Sequence, residues 1–514
     1  MSNRFNKTKS TKTKRKTNFA GVSDNYAKTP KSELISFMLN EYSGFSKDAY
    51  YESADDSYNR FIDLLDRTVE QDPLFVAKLA IFSRGGRSLV KSLDPKFANF
   101  AGGKLRTVSH IAAARLAKKA SGKEWARSFY NKIVERVDDM TEIAAYYFKV
   151  MEQERLSNAI KYGFREAFSK FDRHQLAKYR GDKKEVKLID IVRLVHPVET
   201  DKHSGAISDL YNGKLRVDST WEAKLSSAGK TAKTAEEKQK AKADGFNDLL
   251  SESRIGGLAL LRNARNIIET NDMNVVKNYV KELGNKKNFR MVLPTEILKS
   301  YDAVRVLSQS KATKMVMAAL SNAVDFTAPN IEFEGSTAVI IDGSGSMEST
   351  ATGAKTSFNM KQLAAFFGAS LHKKNQFETE VVLFGDTAKM VDYHDMNDAI
   401  DFAQSRIKSY HVGHSTNMSA AFNLLKNKHE RIVVISDMQV TRYGVNSAFE
   451  DYKRRTGGNP KLYLWDLHSY GTTPIKKNGN VIDMSGWSFD CFNLIANSEV
   501  SPNELEKVIN SITI

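Results

Sequence analysis

Ser336-Thr-Ala-Val-Ile-Ile-Asp-Gly-Ser-Gly-Ser-Met347 is the stretch whose reading decides the fold of the C-terminal part of the chain. An apolar strand runs out into a loop carrying Asp342, Ser344 and Ser346. Two further oxygen donors follow: Thr416 in Gly413-His-Ser-Thr-Asn417, and Asp437 after the apolar run Ile432-Val-Val-Ile-Ser436. Apolar strands expected at 337–341, 379–384, 431–436 and 461–466 alternate with helices near 359–373, 395–408, 417–428 and 502–512. Alternation of that kind builds an open, doubly wound α/β sheet, whose ligands bind at the carboxyl ends of its strands. All five donors fall on that edge. Hard divalent cations take oxygen ligands, and magnesium takes a near-octahedral set of them. Two carboxylates and three hydroxyls therefore predict a divalent cation, magnesium by this chemistry, with room left for water or a partner's acid.

This arrangement resembles the metal-ion-dependent adhesion site of von Willebrand factor A domains. Gly343-Ser-Gly345-Ser-Met-Glu348 is not a dinucleotide fingerprint, because Glu348 stands where the third glycine belongs. A phosphatase-type aspartyl nucleophile would have a second aspartate two residues on, where Ser344 stands. The remaining alternative is a degenerate A domain that holds no metal.

Length predicts two or more domains in the 514 residues. No run of about eighteen apolar residues exists and the first residues lack a signal-peptide core, so neither a membrane span nor secretion is expected. The lone Cys491 excludes an intrachain disulfide framework and cysteine zinc clusters. A reducing, cytoplasmic setting follows as an expectation. Charge is divided unevenly. Of 77 Lys+Arg and 61 Asp+Glu, residues 331–514 hold 18 and 21, leaving 59 and 40 to residues 1–330. A strongly basic N-terminal part points to phosphate-rich partners.

Residues 1–23 carry Arg4, Lys7, Lys9, Lys12, Lys14, Arg15 and Lys16 without an acid before Asp24. They read as a disordered tail, either a nucleic-acid arm or a solubilising one. From 24 to 330 the pattern is helical. Leu34, Phe37 and Met38 share a face, as do Phe61, Leu64 and Leu65, and Pro73 suits a first turn before Phe75, Leu79 and Phe82. Further helices are expected at 108–119, 125–137, 141–152, 156–171, 187–196, 245–252, 257–269, 274–283, 294–308 and 311–324, with no convincing strand. Short links favour antiparallel pairs in an extended array. Ala223–Ala243, rich in charge, reads as a mobile loop or insertion.

The densest signal in that half runs from Lys178-Tyr-Arg-Gly-Asp to Val195-His196-Pro197. Leu188, Ile191, Val192 and Val195 form a buried stripe, and Arg193 and His196 lie on the other side. Arg193 suits bidentate phosphate contact, while Tyr179 and His196 can stack on or hydrogen-bond to bases. His196 can equally be a residue that merely ends the helix. This segment, with Trp221-Glu222, Ala259-Leu-Leu-Arg262-Asn263, Val292-Leu-Pro-Thr-Glu-Ile-Leu-Lys-Ser-Tyr301, and Asp72-Pro-Leu-Phe-Val-Ala-Lys-Leu-Ala80 followed by Arg84 and Arg87, resembles the TROVE-domain family of Ro-like RNA-binding proteins. The likeness runs in order from about residue 24 to 514.

The resemblance implies a fold of α plus α/β class: a helical HEAT-like ring at 24–330, then a von Willebrand factor A-like domain at 331–514 packed against both its ends. It implies binding of small structured non-coding RNAs (Y RNA-like) on a basic outer surface, and of single-stranded 3′ ends of misfolded RNA in the ring hole. An exoribonuclease or another protein at the A domain is an implied partner. The RNA-contacting positions carry over onto Lys178, Tyr179, Arg180, Lys187, Arg193 and His196, with Arg262 in a Leu-Arg-Asn that can also be a buried structural motif. The Lys183-Lys184-Glu185 stretch and the charged 223–243 insertion depart from the family's pattern. No paired catalytic constellation is present around His110, His196 or His468, so a monomeric RNA-binding protein rather than an enzyme is expected. The competing reading is a protein-interaction scaffold in which the A-domain metal grips a partner's acid.

Overall fold

Helix follows helix from Pro30 to Thr327, and the reason is local at each start. Ser53 and Asp72 cap Ala54–Gln71 and Pro73–Arg84 through side-chain oxygens, with Pro73 in the first turn where its missing N–H costs nothing. Leu34, Phe37 and Met38 are fully buried, each such burial contributing roughly 1.5–3 kcal/mol. The computed structural model describes residues 15–40, 51–216, 234–252, 255–289, 292–328, 331, 333–349, 358–375, 379–498 and 504–514. Trp221, Glu222 and most of the 223–243 insertion lie outside the described residues. No described helix is long and apolar enough to cross a membrane.

Glu124–Lys132 meets Asn158–Ala167 at Gly163, where a Cβ would stand 2.4 Å from that of Tyr130. The array curves until its ends touch: the Lys104 ammonium donates to the Val292 carbonyl at 3.2 Å.

Two expectations for this half need correction. The segment after 233 is not a loop throughout, because Ala235–Ser251 is a helix with a Thr234/Glu237 capping box. It buries only Ala243, Phe246, Leu249 and Leu250, so its remaining charges face water and mask the period. Nor is the tail disordered as far as residue 23. Strands β1 (Arg15–Lys16) and β2 (Asn25–Ala27) pair with each other, and β2 pairs with the C-terminal strand Thr472–Thr473. Asn18 Nδ2 donates to Val440 O at 2.7 Å, and Phe19 N to Gln439 Oε1 at 2.9 Å. Partners in the far domain, invisible to local composition, order this segment.

The C-terminal domain is a six-stranded sheet. Its strands are β3 (Thr337–Asp342), β4 (Thr379–Phe384), β5 (Ala388–Met390), β6 (Arg431–Ser436), β7 (Lys461–Asp466) and β9 (Val481–Ser485), with β8 being Thr472–Thr473. The order is β5-β4-β3-β6-β7-β9, parallel except for β5 at the edge. Helices such as Met360–Lys374 and Val445–Thr456 cover its faces.

This domain grips both ends of the helical array. Pro30–Asn40 packs on β9, with Lys28 and Asp466 paired in the interior at 2.5 Å and Asn40 bridging Asp466 O and Gly486 N. Asp490 accepts the backbone N–H groups of Ala101 and Gly102. The last helix of the array, Lys311–Thr327, donates from Ser321 to Asp398 at 2.6 Å. The chain end closes the seam, with Thr513 N donating to Ser92 O at 2.8 Å.

Candidate nucleic-acid interface and candidate metal centre

Helix C-termini build the first site. Arg84 ends Pro73–Arg84, Lys91 lies in the last turn of Arg87–Ser92, Lys132 ends Glu124–Lys132, and Lys178 ends Arg173–Lys178. A cation there meets the negative end of the helix dipole. Curvature of the array turns these ends toward one cavity of about 1020 Å³, lined by residues from Arg84 round to Val292. Eleven Lys and Arg residues stand in its wall, with Arg87, Lys104, Arg106, Arg136, Lys170, Lys202 and Arg262 completing the set; Glu135 is the one acid among the described lining residues. Half-buried Tyr179 adds aromatic surface, and the Arg136 guanidinium lies 4.8 Å from its ring centre.

One buried carboxylate organises this wall. Asp139 accepts from Arg84 Nη2 at 2.8 Å, Arg106 Nη2 at 2.8 Å and His110 Nε2 at 2.9 Å, and from the backbone N–H groups of Glu135 and Arg136. Burial alone would raise its pKa; the Arg84, His110 and Arg106 partners overcome that and hold it well below the usual carboxylate value. Burial among other cations also brings Lys170 down to about 8.

The structure divides the seven sequence-derived RNA residues. Lys178, Tyr179 and Arg262 line the cavity. Arg180 is half-buried and occupied, donating to the Leu215 carbonyl and to Asp182 at 2.6 Å. Lys187, Arg193 and His196 are exposed and do not line the cavity. The segment therefore does not present one surface. Its helix spans Leu188–Val195, buries the expected Leu188/Ile191/Val192/Val195 stripe, and ends at His196 in the left-handed region, φ +49°. Arg87, Lys91, Arg106, Lys132, Arg136, Lys170 and Lys202 have no place in the sequence-derived set. The signal that could have found several of them is a basic residue recurring in successive helix-ending turns.

The second site forms where β3, β4 and β6 end side by side. Asp342 closes β3; its Oδ1 accepts Ser344 N at 2.9 Å and its Oδ2 accepts Ser436 Oγ at 2.5 Å. Ser344 and Ser346 hydroxyls lie 3.3 Å apart. Gly345 N donates to His414 O at 2.8 Å, fastening this loop to the one carrying Thr416. Asp386 holds that second loop through His414 N and Ser415, and Gly385 is required beneath it, since a Cβ there would stand 2.5 Å from Gly413 O. Asp437 follows β6, its Oδ1 accepting Gln439 N at 3.0 Å.

Asp342, Ser344, Ser346, Thr416 and Asp437 are all buried. Burial and then the Asp342 charge push the Asp437 carboxyl up to about 7, and burial raises Asp342 against the Ser436 and Ser344 hydroxyls. Such a donor set fits a hard divalent cation, which would remove the repulsion and use the hydroxyl oxygens. No cluster of three or more His, Cys, Asp or Glu ligands exists among the described residues, so hydroxyls have to supply part of any shell.

The site is thus a basic enclosure framed by helices and braced by an α/β domain. A TROVE domain model matches residues 18–312, more than half of the chain, and the chain belongs to that family. The fold is similar to the crystal structure of the Deinococcus radiodurans RO (RSR) protein, with a TM-score of 0.54 at 14% identity, covering 91% of this chain and 99% of that one. No curated protein matches the sequence.

Proposed function

We propose that the cavity takes single-stranded RNA, including the 3′ ends of misfolded molecules, while Lys187, Arg193 and His196 contact small structured RNA of the Y RNA type from outside. The carrying observation is the wall itself: eleven cations against one acid around about 1020 Å³. That volume is at the upper end of ordinary ligand pockets. It admits a few nucleotides and excludes a double helix, so duplex regions are left to the exposed helix. The role is small-RNA binding or RNA quality control by a monomer, without catalysis by this chain.

Separate variants test the two surfaces. Lys187→Ala, Arg193→Ala and His196→Asn together leave the buried stripe intact, and asparagine tolerates the left-handed backbone at 196. Three contacts at about 1 kcal/mol each make the expected loss for a hairpin RNA roughly a hundredfold, with a single-stranded oligonucleotide unaffected. Gel-shift titration at fixed salt, with circular dichroism to verify folding, reads this. Equal loss on both RNAs would contradict two separate surfaces.

The C-terminal domain is read as von Willebrand factor A-like, with Asp342, Ser344, Ser346, Thr416 and Asp437 holding a magnesium-like ion. The ion's open position would take an acidic side chain of a protein partner, such as an exoribonuclease. Saturating magnesium should stabilise the wild type, by about 2.7 kcal/mol at a hundred times Kd, and leave Asp342→Ala unmoved. Equal melting shifts in both proteins would remove the ion from these residues.

A further inference from the structure

A second cavity, of about 520 Å³, opens at the seam where the two ends of the helical array meet the C-terminal domain. Its lining takes Phe289 and Phe326 from the C-terminal end of the array, Asn99, Ala101 and Lys104 from the other side of the seam, and Phe489 from the domain across it. Phe289 and Phe326 are 5.9 Å apart between ring centres. Lys286 and Lys287 stand exposed in its lining, and no described carboxylate forms an ion pair with either. Lys104 lines both this cavity and the large basic one, and its hydrogen bond to Val292 O marks the boundary between them.

We infer that the seam cavity is a nucleotide pocket, seating the terminal base of an RNA strand whose preceding phosphates lie in the basic cavity. This rests on the reading of that cavity as the single-strand site and adds a specific place for the strand's end. Size is suitable, since ligand pockets run from roughly 300 to 1000 Å³ and combine apolar walls with a few polar groups. Phe326, half-buried over the buried Phe289, offers a ring on which a base of any sequence can stack, because every base has a π-face. The Lys286 and Lys287 ammonium groups suit the phosphate next to it. A base bound here would touch both ends of the array and the C-terminal domain at once, so occupancy would also hold the seam shut. Pure hydrophobic ligands would leave the two lysines without a role.

The test uses the full chain and twelve-nucleotide single-stranded RNAs carrying 2-aminopurine at one end, at the other, or in the middle. Anisotropy of a separate fluorophore reports binding, and 2-aminopurine quenching reports stacking. One terminal label should quench well beyond the middle label. Lys286→Glu with Lys287→Glu, and separately Phe326→Ala, should each abolish that excess and weaken binding by roughly tenfold. Binding without excess quenching at either end, or excess quenching that survives both variants, would overturn the pocket and leave the basic cavity standing. Failure of all the oligonucleotides to bind would overturn both. Adenosine monophosphate supplied in excess should displace the terminal label but not the strand, whereas displacement of neither contradicts the assignment.

Discussion

Arg87→Glu, Lys91→Glu and Lys178→Glu, introduced together, are expected to lower affinity for single-stranded RNA by about a thousandfold. All three residues line the basic cavity and are exposed there. None contributes an apolar surface to the core, so the fold should survive. Each substitution removes an attractive phosphate contact of about 1 kcal/mol and introduces a repulsive charge, and three such changes reach that magnitude. Counterion release gives an independent reading. Log Kd against log salt should flatten by about 2, because each phosphate contact on a single strand contributes about 0.7 to the slope. Hairpin RNA lacking a single-stranded tail should bind the variant almost as it binds the wild type. A uniform loss on both RNAs would mean that the cavity acts only through the overall field of the protein.

Asp139→Asn should have the largest effect on stability. The amide keeps the size of the carboxylate but leaves Arg84, Arg106 and His110 without their shared anion. Breaking a buried ion pair by removing one partner costs about 3–5 kcal/mol. The buried Arg84 loses its ion pair outright, whereas the half-buried Arg106 keeps Asp138 at 3.0 Å, so the loss belongs within that range rather than above it. Chemical denaturation should show that loss at neutral pH, and calorimetry a lower Tm.

The pH dependence follows from the direction of the Asp139 shift. Its folded-state pKa lies well below the ordinary 3.8, so the unfolded carboxyl takes up its proton first as acid is added. The stabilisation is fully present above the unfolded value and is lost as pH falls from about 4 through the folded pKa. The wild type should lose stability in that window more steeply than Asp139→Asn. Parallel curves for the two proteins would place the acid sensitivity elsewhere.

The parts of the fold legible in the sequence were those whose signal is local. Strands β3, β4 and β6 are apolar runs, buried along nearly all their length because helices cover both faces of the sheet. Strand β5 was not legible, because Ala388–Met390 is a short edge strand with Lys389 and Met390 exposed. β9 carries Asp483 in the middle of an otherwise apolar segment, which hides it. Helix Val445–Thr456 could have been read, since Val445, Ala448, Phe449 and Tyr452 follow helical spacing. The order of residues 15–27 could not, because it depends on Gln439, Val440 and Thr472–Thr473 more than four hundred residues away.

The two candidate sites differ for the same reason. Four of the five oxygen donors follow strand ends with only a few residues between, so strand placement brings them to one edge of the sheet. The cavity cations come one or two per helix, spread from Arg84 to Arg262, and only the curvature of the whole array brings them together. A contiguous run such as Lys178–His196 draws the eye first, yet its members part, Lys178 and Tyr179 to the cavity and Arg193 and His196 to exposed surface.

Photocrosslinking of a single-stranded RNA containing 4-thiouridine, followed by mass spectrometry of the attached peptides, tests the central claim most directly. Crosslinks are expected in the peptides bearing Phe171, Tyr179 and Arg262, which lie far apart in sequence and meet only in the cavity wall. They should disappear in the Arg87/Lys91/Lys178 charge-reversal variant. Crosslinks confined to the exposed Arg193–His196 helix end or to the C-terminal domain would contradict the account.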